Sequence, residues 1–123
     1  MAINTVGLEL TLQSFVNQVM GIQGAVIASL DGLPLASHLV EGLGEDRLAA
    51  MSATMLSLGE RIGQELGRGD INRLFVEGEK GYVTLTGCGP DAVLLVLSDS
   101  SLKQGVLMLE IKNILKELQI SFA

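Results

Sequence analysis

Two segments of this sequence are apolar at almost every position, and they limit the possible folds more than any other feature. They are Gly24–Leu30 and Ala92–Leu97. A strand with one covered face alternates apolar and polar residues, whereas a strand covered on both faces is continuously apolar. Both segments therefore predict central strands of a sheet that has other elements packed against each face.

The remaining elements follow from the spacing of apolar residues. Spacings of three and four predict helices, and short alternating segments between turn residues predict strands. The predicted helices are Val6–Met20, Glu45–Leu66 and a last helix from Ser101, which forms a capping-box pattern with Gln104. The predicted strands are Gly24–Leu30, Leu33–Leu39, Ile71–Glu77, Tyr82–Gly87 and Ala92–Ser98. The element order is therefore α-β-β-α-β-β-β-α.

The order of the strands in the sheet follows from their patterning. Asp31-Gly32 is a preferred dipeptide of two-residue hairpin turns, so the first two strands are expected to be neighbours. Pro34 has no N–H to donate, which places the second strand at an edge. The expected fold is α/β (α+β): one domain over residues 1–123, with a five-stranded antiparallel sheet of order 2-1-5-4-3 and helices on both faces.

Composition excludes several classes of function. The net charge of −6 disfavours binding to nucleic acid, which needs basic surface. No apolar run approaches the roughly 20 residues of a membrane span, and the first residues do not resemble a signal peptide. The single cysteine, Cys88, cannot form an internal disulfide. We therefore expect a cytoplasmic protein with no membrane span.

The residue types used in catalysis do not occur in workable combinations. His38 is the only histidine, and Cys88 has no identifiable base beside it. The Gly42-x-Gly44 segment precedes a helix, but acids follow it at once, and Gly87-x-Gly89 precedes a strand. We therefore expect no catalytic residue, no cofactor and no metal.

The second predicted helix carries two stripes. Its large apolar residues are spaced three and four apart, which is typical of an amphipathic helix that packs on a core. Gly59, Gly63 and Gly67 recur every four residues and continue a line of small side chains from Ala49 and Ala53. A glycine within a helix costs about 1 kcal/mol relative to alanine, so this small stripe is expected to serve a close contact.

Two interpretations of the small stripe remain open from the residues alone. The small side chains allow close packing either of the same helix from a second copy or of a neighbouring element of the same chain. The third strand, which alternates and has a free edge, favours the homodimer because such an edge can pair with its own copy. The residues predicted at the dimer interface are Ala49, Ala53, Leu56, Gly59, Gly63, Arg73 and Phe75.

A third face of the same helix is polar and modestly basic. Its residues are either a solvated surface or a docking face for an acidic partner. The residues predicted to bind a partner are Arg47, Thr54, Ser57, Arg61 and Arg68.

Two segments resemble the Roadblock family of dynein light chains and bacterial or archaeal GTPase regulators. They are the hairpin Gly24–Ser37 and the segment Gly89–Leu97, within a resemblance that covers about Leu8 to Leu118. The resemblance implies a homodimer in which the third strands pair and the second helices lie side by side. It further implies that the paired second helices bind a Ras-like small GTPase, as a regulator or as a scaffold.

Two other functions remain as alternatives. The first is a structural adaptor subunit of a larger complex, independent of nucleotide state. The second is a sensor of a small ligand, which would need a cavity with convergent polar groups.

Overall fold

The computed structural model describes residues 4–40 and 42–122, so residues 1–3, 41 and 123 of the predicted domain lie outside the described part. The elements follow the predicted order α-β-β-α-β-β-β-α. They are α1 (Thr5–Gln18), β1 (Ile22–Ser29), β2 (Pro34–Leu39), α2 (Glu45–Glu65), β3 (Arg73–Gly78), β4 (Gly81–Gly89), β5 (Ala92–Asp99) and α3 (Gln104–Phe122).

The five strands form one antiparallel sheet of order β2-β1-β5-β4-β3, which confirms the predicted topology. β1 and β5 are the continuously apolar segments, and they lie side by side with most of their residues buried. β2, which contains Pro34, and β3 are the two edges. The sequence thus places its most apolar strands where both faces are covered.

Helices α1 and α3 cover one face of the sheet. Leu8 and Leu12 of α1, with Leu107 and Ile111 of α3, are inaccessible to solvent and share a core with sheet residues such as Ile27. Burial of each such side chain contributes about 1.5–3 kcal/mol. We call this side of the sheet the α3 face.

Helix α2 covers the opposite face, which we call the α2 face. Its residues Leu48 and Ala49 share a second core with Val26, Leu85 and Leu95 of the sheet. Helices therefore lie on both faces, as predicted. None of the helices in residues 4–40 and 42–122 combines the length and apolarity needed to cross a membrane.

Two local predictions at element ends were wrong. The β1–β2 connection is longer than a two-residue turn, because the Ser29 N–H donates to the Leu33 carbonyl across three intervening residues. Helix α3 begins at Gln104, and Ser101 does not cap it. The Ser101 N–H and hydroxyl instead donate to the Asp99 carboxylate, which lowers the pKa of Asp99.

The end of α2 agrees with the sequence. Gly67 follows the helix with a φ of +67°, a left-handed conformation that favours glycine. The next N–H, that of Arg68, donates to the Gly63 carbonyl at 2.6 Å, as in a Schellman-type helix end.

Candidate functional site

Two glycines of the small stripe of α2 pack against their own chain, Gly59 against β3 and Gly63 against the connection between α2 and β3. A Cβ atom added at Gly59 would lie 2.6 Å from the Leu74 side chain. One added at Gly63 would lie 2.5 Å from the Gly69 carbonyl oxygen and 2.8 Å from the Ile71 side chain. These distances leave no room for a side chain, so the same-chain interpretation accounts for both glycines.

Most of the large apolar stripe of α2 is consequently turned away from the core, contrary to expectation, although Leu48 is buried in the core and Met55 packs partly against it. The glycines let the α2 backbone approach β3 closely. The side of α2 that carries the glycines therefore faces inward, and the larger apolar residues lie to one side of it. We call this stripe the apolar flank. It comprises Met51 (50% exposed), the half-buried Met55, Leu58 (57%), Ile62 (46%) and Leu66 (64%).

The direction of the apolar flank follows from what the other side of α2 contacts. At about 100° per residue, Ala53 and Glu60 lie on the side opposite the flank. Ala53 lies against Gly32 of the β1–β2 turn, and Glu60 lines a small cavity with Leu30. That side therefore faces the β1–β2 turn, and the apolar flank faces the opposite end of the sheet.

At that opposite end, a row of side chains crosses the α2 face of the sheet. Leu97 of β5 lies opposite Val83 of β4, which lies opposite Val76 of β3. Leu97 and Val83 are half-buried, and Val76 is exposed at the edge. Met55 of the apolar flank packs against the same core as Val83 and Leu97, so the flank and this row lie side by side on the α2 face, and exposed apolar side chains continue to Val76 at the free edge of β3.

The β3 edge carries two predicted interface residues. Arg73 is exposed, and Phe75 is half-buried with its ring stacked on Tyr82 at a centroid distance of 5.2 Å. Both side chains lie on the α3 face, where the Arg73 Nη1 atom is 3.2 Å from the sulfur of Met108. In the described residues β3 pairs only with β4, so its outer edge remains available for another strand.

The other predicted interface residues lie away from these two surfaces. Ala49, Gly59 and Gly63 are buried against their own chain, so they are not exposed to a second copy. Ala53 and Leu56 are half-buried on or near the side that faces the β1–β2 turn. A dimer contact made by α2 would therefore have to involve the apolar flank, whose spacing in the sequence predicted packing on the core.

All five predicted partner-binding residues are exposed. Thr54, Ser57 and Arg61 line a shallow depression of about 450 Å³ with Ala53 and Leu58. The other two predicted partner-binding residues do not line this depression: Arg47 lies near the start of α2, and Arg68 lies beyond its end. Arg61 forms an ion pair with Glu65 at 3.0 Å, which reduces the positive charge that it presents.

The groups with catalytic potential are placed apart from one another. Cys88 is buried, and burial raises the pKa of its thiol to about 12, so it is not a nucleophile near neutral pH. His38 lies half-buried on the edge strand β2. Within residues 4–40 and 42–122, no group of three or more His, Cys, Asp or Glu residues is arranged to hold a metal.

The sequence and the fold were compared with known proteins. Residues 8–98 match the Roadblock/LC7 domain family. An uncharacterized Methanocaldococcus jannaschii protein, MJ1340, is 27% identical over 106 residues, which cover 86% of this chain and 92% of that protein.

Solved structures share the fold. The Roadblock/LC7 domain from Streptomyces avermitilis has a TM-score of 0.82 and 26% identity, covering 90% of this chain and 93% of that one. Myxococcus xanthus MglB has a TM-score of 0.87 and 19% identity, covering 99% and 92% of the two chains. The match over residues 8–98 shows that the chain belongs to the Roadblock/LC7 family.

Proposed function

We propose that the protein is a non-catalytic homodimeric module that binds a Ras-like small GTPase and regulates or scaffolds it. The observation that carries the proposal is the exposed apolar flank of α2 beside the free edge of β3. Large exposed apolar patches with an adjoining unpaired strand are typical of protein–protein interfaces.

The two surfaces can be used together in one symmetric dimer. Pairing of β3 with its copy about a two-fold axis perpendicular to the sheet keeps both α2 helices on one face. Each α2 packs over the Leu74 end of its own β3, because Gly59 lies against Leu74. In an antiparallel pair the partner's Leu74 end lies beside the Val76 end of the first protomer. The partner's α2 then lies on the side that the apolar flank faces.

Such a dimer covers the side chains that the single chain leaves exposed. Met51, Leu58 and Ile62 of one copy would lie against the same residues of the other. The outer faces of the two α2 helices, with Thr54, Ser57 and the basic residues, would form one continuous platform. Sedimentation tests this step: a dimer is expected at micromolar concentration, and a monomer would contradict it.

The proposed GTPase partner is supported by family membership together with the composition of this platform. The resemblance to Roadblock GTPase regulators implies docking on the paired second helices. Arg47, Arg61 and Arg68 give the platform basic groups on an otherwise acidic protein. Such rim charges act mainly on the rate of encounter.

Calorimetry with a Ras-like GTPase from the same cell tests the proposed partner. A regulator should bind the GDP and GTP forms with different affinities, because only differential affinity shifts an equilibrium. Arg61→Glu/Arg68→Glu should slow association without dissociating the dimer, and Lys112→Glu/Lys116→Glu on the exposed side of α3 is the control with the same change of charge. Equal affinity for both forms would favour the adaptor alternative, and no binding would contradict the GTPase proposal.

A further inference from the structure

The β3 edge can pair with its own copy in only a few registers. Phe75 packs on the α3 face, whereas Leu74 packs on the α2 face. Directly opposite residues of an antiparallel pair lie on the same face, and a one-residue slip moves every side chain to the other face. A symmetric pair must therefore place one residue of β3 opposite its own copy.

The register centred on Phe75 pairs side chains of matching chemistry. On the α3 face, Phe75 lies opposite the partner's Phe75, and Arg73 lies opposite the partner's Glu77. By symmetry, Glu77 lies opposite the partner's Arg73. On the α2 face, Leu74 lies opposite the partner's Val76. Every opposed pair is then either apolar with apolar or positive with negative.

The neighbouring registers lose this match. Centring on Leu74 places Phe75 opposite the partner's Arg73 and leaves Glu77 beyond the partner's β3. Centring on Val76 places Phe75 opposite the partner's Glu77. In both registers the aromatic ring faces a charged residue and the two opposite charges no longer meet.

Arg73 and Glu77 are available for this pairing. Both are exposed, and neither forms an ion pair in the part of the chain that the structure describes, where the ion pair is Arg61–Glu65. The neighbour of Arg73 on its own chain is the sulfur of Met108, which carries no charge. Both charged side chains therefore lie at an open edge, and neither forms an ion pair with its own chain in the described residues.

We propose that Arg73 and Glu77 form two reciprocal ion pairs across the β3–β3 junction, which fix its register and select a second copy of this chain as the partner. This inference rests on the proposed homodimer, since it specifies how the two edges meet. A strand of another protein without the same spacing of charges would place like charges, or a charge and an apolar residue, in opposition.

Charge reversal tests the proposal. Arg73→Glu and Glu77→Arg each put like charges opposite one another at two places in the dimer. Because each variant replaces two attractive cross-strand pairs by two repulsive ones, we expect the dimer dissociation constant to rise about tenfold. The double variant Arg73→Glu/Glu77→Arg restores opposite charges and should regain the dissociation constant of the original chain.

Mixing the single variants gives a sharper test. The Arg73→Glu chain carries two acidic residues at these positions, and the Glu77→Arg chain carries two arginines. Opposite charges therefore face one another only in the heterodimer. Native mass spectrometry of an equal mixture should show a heterodimer fraction well above the statistical half. The control is Lys112→Glu, which makes the same change of charge on the exposed side of α3 and should mix with the original chain statistically.

The proposed homodimer and the proposed Arg73–Glu77 register are refuted by different results. If the original chain is a monomer, the proposed homodimer is refuted and this pairing with it. If the original chain is a dimer but the two charge variants mix statistically, the dimer stands and the Arg73–Glu77 register is refuted.

Discussion

Truncation of Leu58 tests the apolar flank most directly. Leu58 is 57% exposed in the single chain, and the proposed dimer buries this remaining surface. Leu58→Ala removes three carbons, each worth about 0.8 kcal/mol when buried, so roughly half of that total, about 1.2 kcal/mol, belongs to the contact. The two-fold axis repeats the loss, which gives about 2.4 kcal/mol per dimer, or roughly a 50-fold rise in the dissociation constant.

The measurement is sedimentation equilibrium over a concentration series, with circular dichroism to show that the fold is retained. Alanine favours a helix at least as well as leucine, so α2 itself should not be weakened. The matched control is Leu10→Ala, because Leu10 on α1 is exposed to a similar extent, 61%, and lies on the other face of the sheet. An equal effect of the two substitutions, or none from Leu58→Ala, would refute the assignment of the flank to the dimer.

Three further substitutions or reactions test the packing. Gly63→Ala should destabilise the fold by about 1–3 kcal/mol in urea titrations, because its Cβ would meet the Gly69 carbonyl at 2.5 Å; Gly105→Ala, in open space on α3, should be neutral or stabilising. Cys88 should react with a thiol reagent at pH 8 only as fast as the chain opens, and stability should fall above pH 9, where the thiol ionises in the unfolded chain but stays protonated in the folded one; fast reaction of the folded protein would contradict its burial. Asp99 has a lowered pKa in the folded state, so its contribution is present above about pH 4 and is lost as pH falls. The stability difference between the original chain and Asp99→Asn should therefore shrink in acid, and a pH-independent difference would show that the carboxylate charge is not involved.

Much of the fold could be predicted because its signals are local. The continuously apolar strands β1 and β5 indicated the centre of the sheet, and Pro34 indicated an edge. These inferences need only the rule that covered faces are apolar and that proline cannot donate a hydrogen bond. Strand order followed from them without knowledge of any contact.

The orientation of α2 could not be predicted in the same way. Apolar size favoured Leu58 and Ile62 as core residues, whereas the core in fact accepts Gly59 and Gly63. The deciding contacts are made by Leu74 and Ile71, whose side chains take the space that the glycines leave. These contacts lie between α2 and residues outside it, whereas periodicity compares residues within one helix. Only the three-dimensional structure therefore shows which stripe of α2 faces the core.

The two edges of the sheet differ in a way that bears on how large an assembly can become. Dimerisation through β3 would leave β2 at both ends of the joined sheet, and an open strand at each end is how a filament grows. β2 begins with Pro34, and its pairing with β1 is interrupted between Ile27 and Ala28. Proline and an irregular register both weaken an edge as a template for further strands. The same chain thus has one edge suited to pairing and one that resists it, which favours termination at two copies over polymerisation.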